Sequence, residues 1–192
     1  MDRPARAPQD CPARGDATVL VPRDCIARRL DALAAELTAD HAAAEITLLA
    51  VLTGALVFVA DLIRRLEMPV RIEVAQVRSY PHQTTRSQGA AVTLPGPGDL
   101  VGRRVLIADD ILDSGRTLET LLAHIRDAGA AEVRTCVLLR KQRGRPTDVS
   151  PDYVGFDVPD VFVVGYGLDY NNLYRNLPDI CMLPAAEESP SP

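Results

Sequence analysis

Residues 105–118 read V-L-I-A-D-D-I-L-D-S-G-R-T-L. An apolar strand, 104–108, here delivers three carboxylates, Asp109, Asp110 and Asp113, into a polar turn spanning 109–117. A helix over 118–128 follows, with Gly129 at its C′ position. In α/β sheets ligands sit at the carboxyl ends of strands. Backbone N–H groups at a helix start bind phosphate, and the hydroxyls of Ser114 and Thr117 add donors. Gly115 permits close backbone approach. The residues alone also allow a plainer reading, an N-capped helix with a solvated acidic turn.

Outward from this stretch, the patterning alternates. Ile26, Leu30, Leu33 and Leu37 recur at helical spacing within 23–41. A buried strand is expected at 47–52 (TLLAVL), a helix at 55–66 closed by Met68-Pro69, and a strand at 70–77. Residues 78–102 are rich in Ser, Thr, Gln, Gly and Pro. A loop of that length inside a domain is uncommon and often forms a mobile lid; a hairpin with a loose tip is the alternative. A strand at 133–139 follows, then short strands and turns over 153–182. Helices alternating with apolar strands predict an open, mostly parallel α/β sheet flanked by helices. The expected organisation is one domain over 19–183, with a small C-terminal hood at 146–183 and disordered tails at 1–18 and 184–192.

The chain has 192 residues, 47% of them hydrophobic, and a net charge of −5. That is a folding composition, and its sign argues against a binder of bare nucleic acid. The longest apolar stretch, 46–60, is interrupted by Thr47, Thr53 and Gly54 and is too short to span a bilayer. No signal peptide is read at the N-terminus. Cys11, Cys25, Cys136 and Cys181 form no CxxC pair, and His41, His82 and His124 are scattered. A zinc site is not expected, and a reduced, cytoplasmic setting is.

The segment at 105–118 resembles the phosphoribosyl pyrophosphate signature of type I phosphoribosyltransferases: four hydrophobic residues, two acidic, two hydrophobic, Asp, then Ser/Thr-Gly-x-Thr. Ala108 is smaller than the usual fourth hydrophobic residue. Val51-Leu52-Thr53-Gly54-Ala55 resembles the family's pyrophosphate loop, and Ser79-Tyr80 the pair that opens its lid. Lys141 follows a predicted strand, as the purine-contacting lysine does. The runs V-G-F-D-V-P-D (154–160), F-V-V-G-Y-G-L-D-Y (162–170) and Y-R-N-L-P (174–178) resemble the hypoxanthine subfamily. The likeness covers roughly residues 20–183.

The resemblance implies transfer of a 5-phosphoribosyl group from phosphoribosyl pyrophosphate to N9 of hypoxanthine, and of guanine, with Mg²⁺. Asp113 is implied as the catalytic carboxylate near purine N7. Asp113, Ser114, Gly115, Arg116 and Thr117 are implied at the 5′-phosphate. Asp109 and Asp110 are implied at the ribose hydroxyls, directly or through the metal, which Asp169 also holds. Thr53, Gly54 and Arg175 fall to pyrophosphate, and the Leu52–Thr53 peptide is implied to be cis. Lys141, Phe162 and Val163 fall to the purine, with Ser79 and Tyr80 in the lid. A homodimer or homotetramer is also implied. Thr53 departs from the charged residue of many relatives and offers pyrophosphate only its backbone.

Two other readings stand beside this one. Arg140, Lys141, Arg143 and Arg145 are also compatible with a basic patch on an RNA-binding regulator of the same fold. Xanthine or guanine preference within the family is the other.

Overall fold

The computed structural model describes residues 19–42, 44–78, 91–93, 95–96, 98–143 and 149–183. In chain order these form β1 (Val19–Val21), α1 (Arg23–His41), β2 (Ile46–Leu52), α2 (Leu56–Ile63), β3 (Val70–Arg78) and β4 (Ala91–Thr93). Next come β5 (Arg104–Leu112), α3 (Arg116–Asp127), β6 (Glu132–Gln142), β7 (Tyr153–Pro159), β8 (Val163–Val164) and β9 (Ile180–Met182).

The main sheet has the order β4-β3-β2-β5-β6-β7. The five strands from β3 to β7 are parallel, and β4 is antiparallel on the β3 edge. A parallel sheet covered on both faces demands central strands that are apolar throughout, and β2 meets that demand. Leu48 and Ala50 face the core beneath α1 and α2, while Leu49 and Val51 face the core beneath α3. Within α3, Leu118, Leu121 and Ile125 supply the buried stripe. Gly129, at φ 85°, ends that helix as expected. Because the strands are parallel, β2, β5, β6 and β7 all deliver their carboxyl ends to one rim.

Several boundaries differ from the sequence reading. Strand β5 runs on through Asp109–Leu112, past the point where the sequence predicts a turn, because its ladder with β6 continues to Leu112 and Arg140. Strand β6 extends to Gln142, so Lys141 lies within it and not after it. Charged residues stay in the ladder there because Arg140 makes a two-point ion pair with Asp157 of β7, at 2.6 and 3.0 Å. Helix α2 stops at Ile63, short of the predicted 66, and α3 begins at Arg116.

Residues 153–159 were expected in the hood. They instead form β7, the last strand of the main sheet. The small second sheet has the order β1-β9-β8, so its framework comes from both ends of the described chain. Within the predicted lid, 91–93 pairs antiparallel with 76–78. Ser79, Tyr80 and His82 lie outside the described residues, as do the predicted tails and Arg145.

Candidate active site

Asp109 and Asp110 are adjacent on β5, so their side chains leave opposite faces of the strand. Asp109 is only 6% exposed. Its Oδ1 accepts from the Asp110 N–H at 3.0 Å, and Asp110 Oδ1 accepts from the Ile111 N–H at 3.0 Å. Burial pushes the Asp109 carboxyl well above the usual carboxylate range, and the adjacent Asp110 charge adds to the shift. Burial raises Asp110 as well, against the pull of its hydrogen bond with Asp109 and the charge of Arg175.

Beyond β5 the chain turns through Asp113 and Ser114 to Gly115, whose φ of 80° suits a residue without Cβ. Helix α3 then starts at Arg116, and its first intrahelical bond runs from the Glu119 N–H to the Gly115 carbonyl at 2.9 Å. The N–H groups ahead of Glu119 have no acceptor within the helix, and the macrodipole places partial positive charge there. Residues 113–117 thus line a place suited to a phosphate.

The loop after β2 approaches Asp110 directly. The Leu52–Thr53 peptide is cis, as the resemblance implied. A Cβ built on Gly54 would lie 1.7 Å from Asp110 Oδ2. On the other side, a Cβ on Gly167 would lie 2.3 Å from the Gly54 carbonyl oxygen. Only bare backbone fits between the acidic strand and the turn that follows β8. That turn is tied by Arg175, which donates to the Gly167 carbonyl at 2.7 Å and pairs with Asp169 at 2.8 Å. Asp169 also accepts from the Asn172 N–H at 2.8 Å.

At the ends of β5 and β6 stands a second constellation. The Lys141 side chain, 10% exposed, places Nζ 3.5 Å from Asp113 Oδ2 and 3.5 Å from Asp160 Oδ1. Arg143 pairs with Asp113 Oδ1 and lies 3.3 Å from Asp160 Oδ1. In the sequence Asp160 carries no signal of a role, and Arg143 reads as part of a basic run. The only sequence signal for Arg143 was its place two residues after Lys141. With Arg140 on Asp157, and Lys141 and Arg143 on carboxylates, the described part of that run does not form a free basic patch.

Phe162 is 50% exposed and meets Tyr170 edge to face, with ring centres 5.5 Å apart. Val163 is buried in β8, paired with Met182 of β9. The structure therefore brings Gly54, Asp110, Gly167 and Arg175 together, and separately Asp113 with Lys141. It gathers no group of three His, Cys, Asp or Glu side chains for a metal among the described residues. Asp109, Asp110 and Asp169 do not form one cage. Nor is any helix among those residues long and apolar enough to cross a membrane.

A family model described as "Phosphoribosyl transferase domain" matches residues 22–171. The chain belongs to the phosphoribosyltransferase family. It is 41% identical over 172 residues to the hypoxanthine-guanine phosphoribosyltransferase of Bacillus subtilis, covering 89% of this chain and 96% of that protein. Among solved structures it is similar to a Bacillus anthracis hypoxanthine-guanine phosphoribosyltransferase with a HEPES molecule in the active site. There the TM-score is 0.78 and the identity 35%, over 86% of this chain and 97% of that one. A Trypanosoma cruzi hypoxanthine phosphoribosyl transferase gives a TM-score of 0.80 at 34% identity, over 90% and 95% of the two chains. The parallel sheet with helices on both faces is thus the phosphoribosyltransferase sheet, and β5 with the turn into α3 lies within the matched residues.

Proposed function

We propose that this phosphoribosyltransferase moves the 5-phosphoribosyl group from phosphoribosyl pyrophosphate to N9 of hypoxanthine, and of guanine, giving IMP or GMP and pyrophosphate. The observation that carries the reading is the 3.5 Å pairing of Lys141 Nζ with Asp113 Oδ2. A 6-oxopurine protonated at N7 shows a donor and an acceptor side by side on one edge, N7–H and O6. A carboxylate beside an ammonium is the complementary pair, and adenine, with an amine at position 6, mismatches it.

In the reaction N9 bonds to C1′, and the C1′–pyrophosphate bond breaks with its electrons leaving on pyrophosphate. The N7 proton passes to Asp113, general-base help worth about 10²–10⁴-fold. Backbone N–H groups and hydroxyls of 113–117 hold the 5′-phosphate. The backbone of Thr53 and Gly54, with Arg175, holds pyrophosphate. Phe162 stacks on the base and Val163 meets it through its backbone.

Asp109 and Asp110 take the ribose hydroxyls, directly or through Mg²⁺, and Asp169, apart from them, would hold Mg²⁺ together with pyrophosphate oxygens. The residues fit that ion: Mg²⁺ needs only one or two carboxylates beside substrate phosphates and water. Burial disfavours charge on Asp109 and Asp110, and a cation restores it. When bound, Mg²⁺ supplies charge neutralisation for the departing pyrophosphate.

The enzyme acts in the cytoplasm as a homodimer or homotetramer. The deciding experiment mixes purified protein, Mg²⁺ and phosphoribosyl pyrophosphate with hypoxanthine, guanine, xanthine, adenine or uracil. Rapid IMP and GMP formation with little AMP is expected. Preference for adenine or uracil would overturn the reading.

A further inference from the structure

We infer that Arg143 is a positioning residue, an ionic latch that occupies Asp113 until the purine arrives and then moves to Asp160. The inference rests on the function proposed above. A cation stands against each oxygen of Asp113, Arg143 at Oδ1 and Lys141 at Oδ2, and the buried Oδ1 accepts no hydrogen bond among the described residues. The guanidinium of Arg143 therefore competes with the purine N7–H for the negative charge of Asp113. Lys141 finds a new acceptor in the purine O6. Arg143 needs a different seat, and Asp160 supplies it: Arg143 Nε already lies 3.3 Å from Asp160 Oδ1.

The move is small and costs little. Arg143 follows the last residue of β6, and its side chain is 37% exposed on a flexible stem. It exchanges one carboxylate for another without becoming an unpaired charge. The four groups form a closed ring of alternating sign in which Lys141 and Arg143 each touch both Asp113 and Asp160. Asp160 is therefore the acceptor that lets the base compete for Asp113.

The two residues should act in opposite directions. Arg143→Gln removes the competitor, so the KM for hypoxanthine falls by about two- to fivefold, the range of a partly exposed ion pair. Asp160→Asn removes the alternative seat, so that KM rises by a similar factor. The double variant follows Arg143→Gln, and Arg143→Lys returns toward wild type. The KM for phosphoribosyl pyrophosphate stays unchanged throughout, which also reports an intact fold. Calorimetric titration of IMP reads the same order of affinities without turnover. An unchanged or raised hypoxanthine KM in Arg143→Gln overturns the latch, as does a lowered one in Asp160→Asn. A wild-type protein that makes and binds no IMP overturns the proposed function and the latch together. One that binds IMP with the affinity of Arg143→Gln overturns the latch alone.

Discussion

Gly54 and Asp110 meet with no room for a side chain between them: a Cβ at 54 would stand 1.7 Å from Asp110 Oδ2. The atom in the way is the end of a side chain, not backbone, so Gly54→Ala displaces the carboxyl and leaves the strand in place. The expected result is a folded enzyme whose KM for phosphoribosyl pyrophosphate rises roughly ten- to a hundredfold, the worth of hydrogen bonds to a charged group. Steady-state kinetics with a parallel thermal melt checks this. A normal KM would mean that Asp110 does not serve the ribose.

Asp113→Asn keeps the size of the side chain and removes its basicity. The variant should fold normally and lose turnover by about 10²-fold or more. Single-turnover IMP formation is the measurement. Near-wild-type turnover would remove Asp113 from the catalytic role.

Lys141→Met leaves an apolar end where the ammonium stood. Hypoxanthine use should drop by about 10- to 100-fold, since hydrogen bonds to charged groups carry that much. The gap to adenine should narrow, because the donor that rejects the 6-amino group is gone. The ratio of kcat/KM for the two bases decides it. An unaltered ratio would place base selection elsewhere.

His41, at the end of α1, is 4% exposed, and its Nε2 has no partner among the described residues. Burial, then the charge of Arg134, lowers its pKa below the ordinary 6.5. Because the folded state resists the proton, stability is complete above the unfolded pKa and falls as pH drops through the folded one. His41→Leu should therefore be more stable than wild type, by about 1–3 kcal/mol at pH 8 for a buried unpaired polar atom. That advantage should widen from pH 7 to pH 5. Urea denaturation at several pH values checks it, and a constant or shrinking gap would refute it.

The contiguous parts of this molecule were legible in its sequence, and the assembled parts were not. Residues 105–118 show strand, acidic pair and phosphate turn in one line, and the apolar run of β2 betrays a strand buried on both faces. The ends of β5 and β6 were missed because Asp109, Arg140 and Lys141 look like loop residues; ladder hydrogen bonds and the Arg140–Asp157 pair hold them in strand. A strand near 153 was expected, but its place in the main sheet was not legible, because that place depends on β6 beside it. The contact of Gly54 with Gly167 and the ring that joins Arg143 to Asp160 exist only after distant segments meet.

The small sheet has a consequence for biosynthesis. Val19 pairs with Cys181, and the Arg23 N–H donates to Asp179 Oδ1 at 2.7 Å across 156 residues of sequence. At about 5–20 residues per second a ribosome takes on the order of ten seconds or more to make that span. Strand β1 must wait that long for its partner, while β2, β3 and β5 can already pair beside α1 and α2. The phosphate-holding half of the enzyme can thus form during translation, and the side that carries Val163 closes only once the distal strands emerge. A nascent chain halted before 180 would offer a phosphate cradle with an unfinished wall for the base.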